Sequence, residues 1–100
     1  MEAREVKSQE ELHQFLVNRE GASLLKKHQL TKGKQTGDER CHIHDTTARK
    51  PILGWVQRES GTLFVMHNFD EHDGRTQSLK RFADELAQKI GIATYHSYRD

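Results

Sequence analysis

The chain has a single cysteine, Cys41, and no apolar run near the roughly 18 to 20 residues needed to cross a bilayer. One cysteine cannot form an intramolecular disulfide, and Met1 to Val6 lack the basic-then-apolar pattern of a secretory signal. Together these absences point to an intracellular, cytoplasmic and reducing setting with no membrane span. Internal repeats, heptads and low-complexity segments are also missing. So is a dominant charge: 16 Lys/Arg against 15 Asp/Glu leave a net +1. What the chain does have is length for one small domain over residues 1–100, with 33% hydrophobic and 31% charged residues.

The near-neutral average hides a segregation. Between Lys26 and Lys50 seven basic residues face three acidic ones, a local +4, while the rest of the chain is acidic. A basic middle segment suits an anionic partner, and its simplest reading is a solvated charged loop. Thr31 to Asp38, with no apolar residue and two glycines, is expected to be a mobile basic loop.

The apolar residues are periodic. Ser8-Gln9-Glu10-Glu11 is a capping box, and Leu12, Phe15 and Leu16 follow it at helical spacing. That helix is expected to end near Glu20-Gly21, with a second short helix carrying Leu24, Leu25 and Leu30. Beyond the loop the period changes to two over Glu39–Asp45, Pro51–Arg58 and Thr62–Phe69. Ser60-Gly61 suits a tight hairpin turn: a two-residue loop would pair Gly54 with His67, Trp55 with Met66, Val56 with Val65 and Ile52 with Phe69, whereas a three-residue loop would change these pairs. Asp73-Gly74 reads as a turn, Gln77–Ile90 as the clearest helix, and Ile92–Tyr98 as a last strand. With a short edge strand at residues 2–6, the order is (β)-α-α-β-β-β-α-β. This is an α+β fold, an antiparallel sheet of three to five strands with helices packed on one face.

Chemistry concentrates in Cys41-His42-Ile43-His44-Asp45. Strand alternation places Cys41 and Ile43 on one face and His42 and His44 on the other. Either the first pair packs in the core with the imidazoles in solvent, or the imidazoles chelate a divalent metal or share acid–base work. His42-Ile43-His44 resembles the His-hydrophobe-His motif of endonucleases that nick single-stranded DNA at replication or transfer origins. The resemblance implies His42 and His44 as metal ligands and Tyr95 or Tyr98 as the nucleophile. A zinc site from Cys41, His44, His67 and His72 would need the strand to break, because Cys41 and His44 face opposite ways.

A second cluster, Asp70-Glu71-His72-Asp73, precedes the last helix. It reads as a solvated helix start, or as a hard-metal or general-base site toward which His67 points. The candidate metal set is therefore His42, His44, His67, Asp70 and His72. The arrangement of helices and three-stranded sheet also looks like the ribosome-associated ribonuclease toxins of bacterial toxin–antitoxin pairs. With Lys80-Arg81 on the last helix, it further resembles a double-stranded-RNA-binding domain.

For binding without catalysis, Lys32, Lys34, Arg49, Lys50, Lys80 and Arg81 are the candidates for phosphates, and Trp55, if exposed, for stacking on a base. The leading expectation is a small, non-catalytic binding or regulatory module, acting through an open sheet face and a basic loop on nucleic acid or a protein partner. No cofactor is expected. The alternatives are a small nuclease using His42 and His44, for which a divalent metal would be needed, and an inhibitor that covers a partner.

Overall fold

Ser8 begins the first helix as its capping box requires. Its Oγ accepts the Glu11 N–H at 3.2 Å, and α1 runs Gln9–Val17 with Leu12, Phe15 and Leu16 buried. The break comes at Asn18 rather than at Glu20-Gly21. Asn18 closes α1 while its Oδ1 accepts the Gly21 N–H at 3.0 Å, opening α2, Arg19–Lys27. Gly21 therefore sits buried in the first turn of α2, where a Cβ would run into the Phe15 carbonyl. It allows the two helices to approach closely and does not end either of them.

The structure is a computed structural model that describes residues 8–33, 40–46 and 53–99. After α2, Gln29 adopts a left-handed φ of 59° and turns the chain, so Leu30–Lys32 leaves as strand β1. Leu30 thus belongs to a strand rather than to the second helix, and Thr31 and Lys32 are paired residues rather than loop. β2 is Cys41–Asp45, β3 Gly54–Glu59 and β4 Thr62–His67. Ser60 and Gly61 both have positive φ (48° and 80°), as a two-residue type I′ turn demands. Gly54↔His67, Trp55↔Met66 and Val56↔Val65 pair as the turn length implies.

Asp73 is the N-cap of α3, Gly74–Ile90, accepting the Arg75 N–H at 2.9 Å, so the last helix starts a turn earlier than Gln77. Gly91, at φ 74°, closes it in the left-handed conformation, and β5 follows over Ala93–Ser97. The described strands form one sheet in the order β1-β2-β3-β4-β5, antiparallel except that β5 runs parallel to β4. The expected antiparallel sheet is thus a mixed one, because α3 carries the chain back before β5 begins. The proposed edge strand at 2–6, residues 34–38 of the loop and the Ile52–Phe69 pair lie outside the described residues.

The helices cover one face. Leu12 and Leu16 of α1, and Phe82 and Leu86 of α3, close over Val56 and Leu63 in a single core. No described helix is long and apolar enough to cross a membrane.

Candidate functional site

Strand alternation sorts the chemistry into two faces. Toward the helices point Cys41, Ile43, Val56, Leu63, Val65 and His67, all buried. His42, His44, Trp55, Phe64 and Met66 point the other way and are half-buried, and Tyr95 is 58% exposed. The register lines them up across the sheet: His42 opposite Trp55, Trp55 opposite Met66, and Phe64 opposite Tyr95. The Phe64 and Tyr95 rings lie 5.7 Å apart, and the Arg40 guanidinium sits 4.8 Å from the centre of the Trp55 ring. Trp55 and Phe64, on adjacent strands, are diagonal neighbours. Trp55, Met66, Phe64 and Tyr95 thus share one face of β3, β4 and β5, with the Phe64 and Tyr95 rings in contact and a cation beside Trp55.

The imidazoles of His42 and His44 border this surface on β2. The Gly33 N–H donates to the His42 carbonyl at 2.7 Å, and the β1 backbone passes so close that a Cβ on Gly33 would stand 2.7 Å from His44 Nε2. Tyr95 shares their face but is three strands away, roughly 14 Å at ordinary strand spacing. Tyr98 is stacked on His67 beneath the sheet. Neither tyrosine is brought to the histidine pair.

The other metal candidates are dispersed too. Asp70 Oδ1 accepts the His72 N–H at 2.8 Å, and the Asp70 carbonyl accepts the Thr76 hydroxyl at 2.8 Å. Asp73 clamps Arg75 through both carboxylate oxygens, and this bonding lowers its pKa to about 2. The acidic cluster is thus the start of α3. Among the described residues no group of three or more His, Cys, Asp or Glu is arranged to hold a metal ion.

Of the expected phosphate contacts, Lys32 pairs with Ile43 and so points to the helix side, where its Nζ donates to the Gly33 carbonyl at 3.2 Å. Lys80 and Arg81 lie on α3, also away from the aromatic face. Lys34, Arg49 and Lys50 lie outside the described residues. Arg40, flanking the histidine pair, was not among the expected contacts. Its strand phase with His42 was the signal, since both precede an inward-facing residue.

Comparison with protein families, curated proteins and solved structures gave no match.

Two buried constellations were not apparent from the sequence. Cys41 Sγ lies 3.3 Å from His13 Nδ1 and accepts from Gln9 Nε2 at 3.3 Å. The pair has the contact of a nucleophile and its base, but burial pushes the thiol up to about 12, so at neutral pH it is a protonated core group. The second joins β4, β5 and α3. His67 Nε2 meets His96 Nδ1 at 2.8 Å, His96 Nε2 meets Asp84 Oδ1 at 2.8 Å, and the Thr94 hydroxyl donates to the same carboxylate oxygen at 3.2 Å. Tyr98 stacks on the His67 ring at 4.6 Å and 12°. His67 is 5% exposed, and its Nδ1 has no hydrogen-bond partner among the described residues. Burial, then the neighbouring His96 and Lys80, lower its pKa to about 4 against the pull of Asp84.

Proposed function

We propose that the protein is a non-catalytic single-strand nucleic-acid-binding module whose ligand lies on the open sheet face. The supporting observation is that Trp55, Phe64 and Tyr95 share one sheet face, with the Phe64 and Tyr95 rings 5.7 Å apart. Aromatic side chains displayed across adjacent strands, with no described element over them, leave apolar area in water that flat nucleobases would cover. Each stacked base contributes about 1–3 kcal/mol and any base has a suitable face, so the preference is for single strands over particular sequences. Arg40 supplies a cation beside the first ring, and His42 and His44 supply imidazole donors along β2. Lys34, Arg49 and Lys50, close to β2 in sequence, are the further phosphate contacts this reading calls for. A single buried thiol suits a reducing, cytoplasmic setting.

The nuclease alternative is less well supported, because the tyrosines stand apart from the histidines and the carboxylates serve the start of α3. Mapping by NMR separates the readings. Titration with oligothymidylate should shift the signals of Trp55, Phe64, Met66 and Tyr95 while those of α3 stay put. Shifts confined to the helices, or none, would refute the proposal, and an open-face response to a protein partner but not to oligonucleotides would favour the protein-binding alternative.

A further inference from the structure

The two ends of the sheet are finished differently. β1 is three residues long and carries Lys32, both ordinary ways of blunting an edge against further pairing. β5 has five residues, Ala-Thr-Tyr-His-Ser, with no Lys, Arg, Asp, Glu or Pro among them. Its register to β4 runs without a bulge from Thr62↔Ala93 to Met66↔Ser97. Among the described residues no strand lies beyond it.

The hydrogen-bond phase of β5 is set at its first residue. In a parallel ladder alternate residues bond the neighbouring strand through both N–H and C=O, and those between them point the other way. The Ala93 N–H donates to the Gly61 carbonyl at 3.4 Å, so Ala93, Tyr95 and Ser97 turn their backbone toward β4. Thr94 and His96 therefore present their N–H and C=O groups outward, one residue on each side of Tyr95. In an antiparallel pair this pattern is its own complement. With Tyr95 on a two-fold axis, Thr94 of each copy faces His96 of the other, and each such pair exchanges both hydrogen bonds. The two Tyr95 residues then meet as the non-hydrogen-bonded pair, at a Cα separation of about 4.5 Å, and their exposed rings cover one another.

The helix layer accommodates the same axis. α3 packs on β4 and β5 alike, so its axis stands about one strand spacing from the two-fold, and the two copies of α3 would run antiparallel roughly 10 Å apart, an ordinary helix-packing distance. Asp84 is level with Tyr95, because it is bonded to both Thr94 and His96, and Lys80 lies on the same side of α3 one turn earlier. Lys80 of each copy is thus brought beside Asp84 of the other, which balances the two carboxylates that approach at the axis.

We propose that β5 is a homodimer interface, through which two copies of this chain join edge to edge and antiparallel about a two-fold axis at Tyr95. The axis is perpendicular to the sheet, so both open faces look the same way and the two sets of Trp55, Phe64 and Tyr95 fall in one row. Dimerisation stands independently of any ligand, while the binding of a longer single strand along that row rests on the function proposed above. A contact of one strand and one helix from each copy is at the small end for protein interfaces, so the dimer is a weak one that forms in concentrated solution.

The test combines sedimentation with amide hydrogen exchange on the full, ligand-free chain at concentrations up to about 1 mM. The mass should rise toward that of two chains. The outward amides of Thr94 and His96 should gain protection in step with it, while those of Ala93 and Tyr95, already turned to β4, change little. Tyr95→Lys and Tyr95→Glu each set like charges opposite one another at the axis and should weaken association about tenfold, yet an equimolar mixture of the two should associate more tightly than either alone. A chain that stays monomeric throughout would overturn the proposal, as would a dimer in which Thr94 and His96 gain no protection. So would growing assemblies that protect Leu30 and Lys32, which would mean that β5 pairs with β1, or undiminished association of both variants. Dimerisation with no oligothymidylate binding leaves the interface standing and removes the nucleic-acid reading, whereas binding by a chain that is monomeric throughout does the reverse.

Discussion

Two buried histidines show how similar contacts acquire different chemistry. His13 shares the core with Cys41, whose pKa is pushed up to about 12 by burial and only partly offset by Lys32 and Gln9. Cys41 should therefore resist iodoacetamide at pH 8 under native conditions and react fully in denaturant, as read by intact mass. Rapid native labelling would show that the thiol is accessible. His67 has its pKa lowered from 6.5 to about 4, chiefly by burial. Between those values the unfolded chain binds more protons than the folded one. The stabilisation is thus complete above about pH 6.5 and lost as the pH falls toward 4. The loss should be on the order of 2 kcal/mol, allowing for solvent screening. Urea midpoints measured from pH 7 to 4.5 should fall less steeply in His67→Phe than in the wild type, and parallel slopes would contradict this.

At the level of elements, close backbone approach decides two joints. Gly54 on β3 lies where a Cβ would meet the Met66 carbonyl on β4 and stand 2.7 Å from Leu79 Cδ2 on α3. Gly54→Ala should therefore destabilise the fold by about 1–3 kcal/mol through forced displacement of strand or helix, measurable by chemical denaturation. A neutral result would mean that the β3–β4–α3 junction is looser than described. The hairpin at Ser60-Gly61 was legible in the sequence, but its register was open between a two- and a three-residue loop; the positive φ of both turn residues selects the shorter one and with it Gly54↔His67. The short strand β1 was not legible, since three residues show no period and the Gln29 turn that creates it carries no glycine signal. The direction of β5 was hidden for a different reason. Periodicity marks a strand but not the neighbour it chooses after a crossover helix, and the parallel pairing with β4 is a tertiary outcome.

Those two gaps set what the sequence revealed of the whole molecule. The split of Cys41 and Ile43 from His42 and His44 followed from alternation and stands. The His67–His96–Asp84 chain was invisible because its members are 29 and 12 positions apart and meet only once β5 lies parallel to β4. Likewise Trp55 was a candidate for stacking if exposed, but Phe64 and Tyr95 joined it only through the sheet order. A net charge of +1 leaves little long-range attraction for a polyanion. In the proposed function, binding therefore rests mainly on stacking. Arg40→Gln should lower the salt slope of oligonucleotide affinity by about 1, while Tyr95→Ala should weaken binding and leave that slope unchanged.

Trp55 is the sole tryptophan, so its fluorescence reports the aromatic face directly. On titration with oligothymidylate at pH 7.5, stacking on this face should give saturable quenching, with binding weakened by about 1–3 kcal/mol in Tyr95→Ala and the fold intact. Unquenched Trp55 emission at saturating oligonucleotide, or identical binding by the variant, would contradict it.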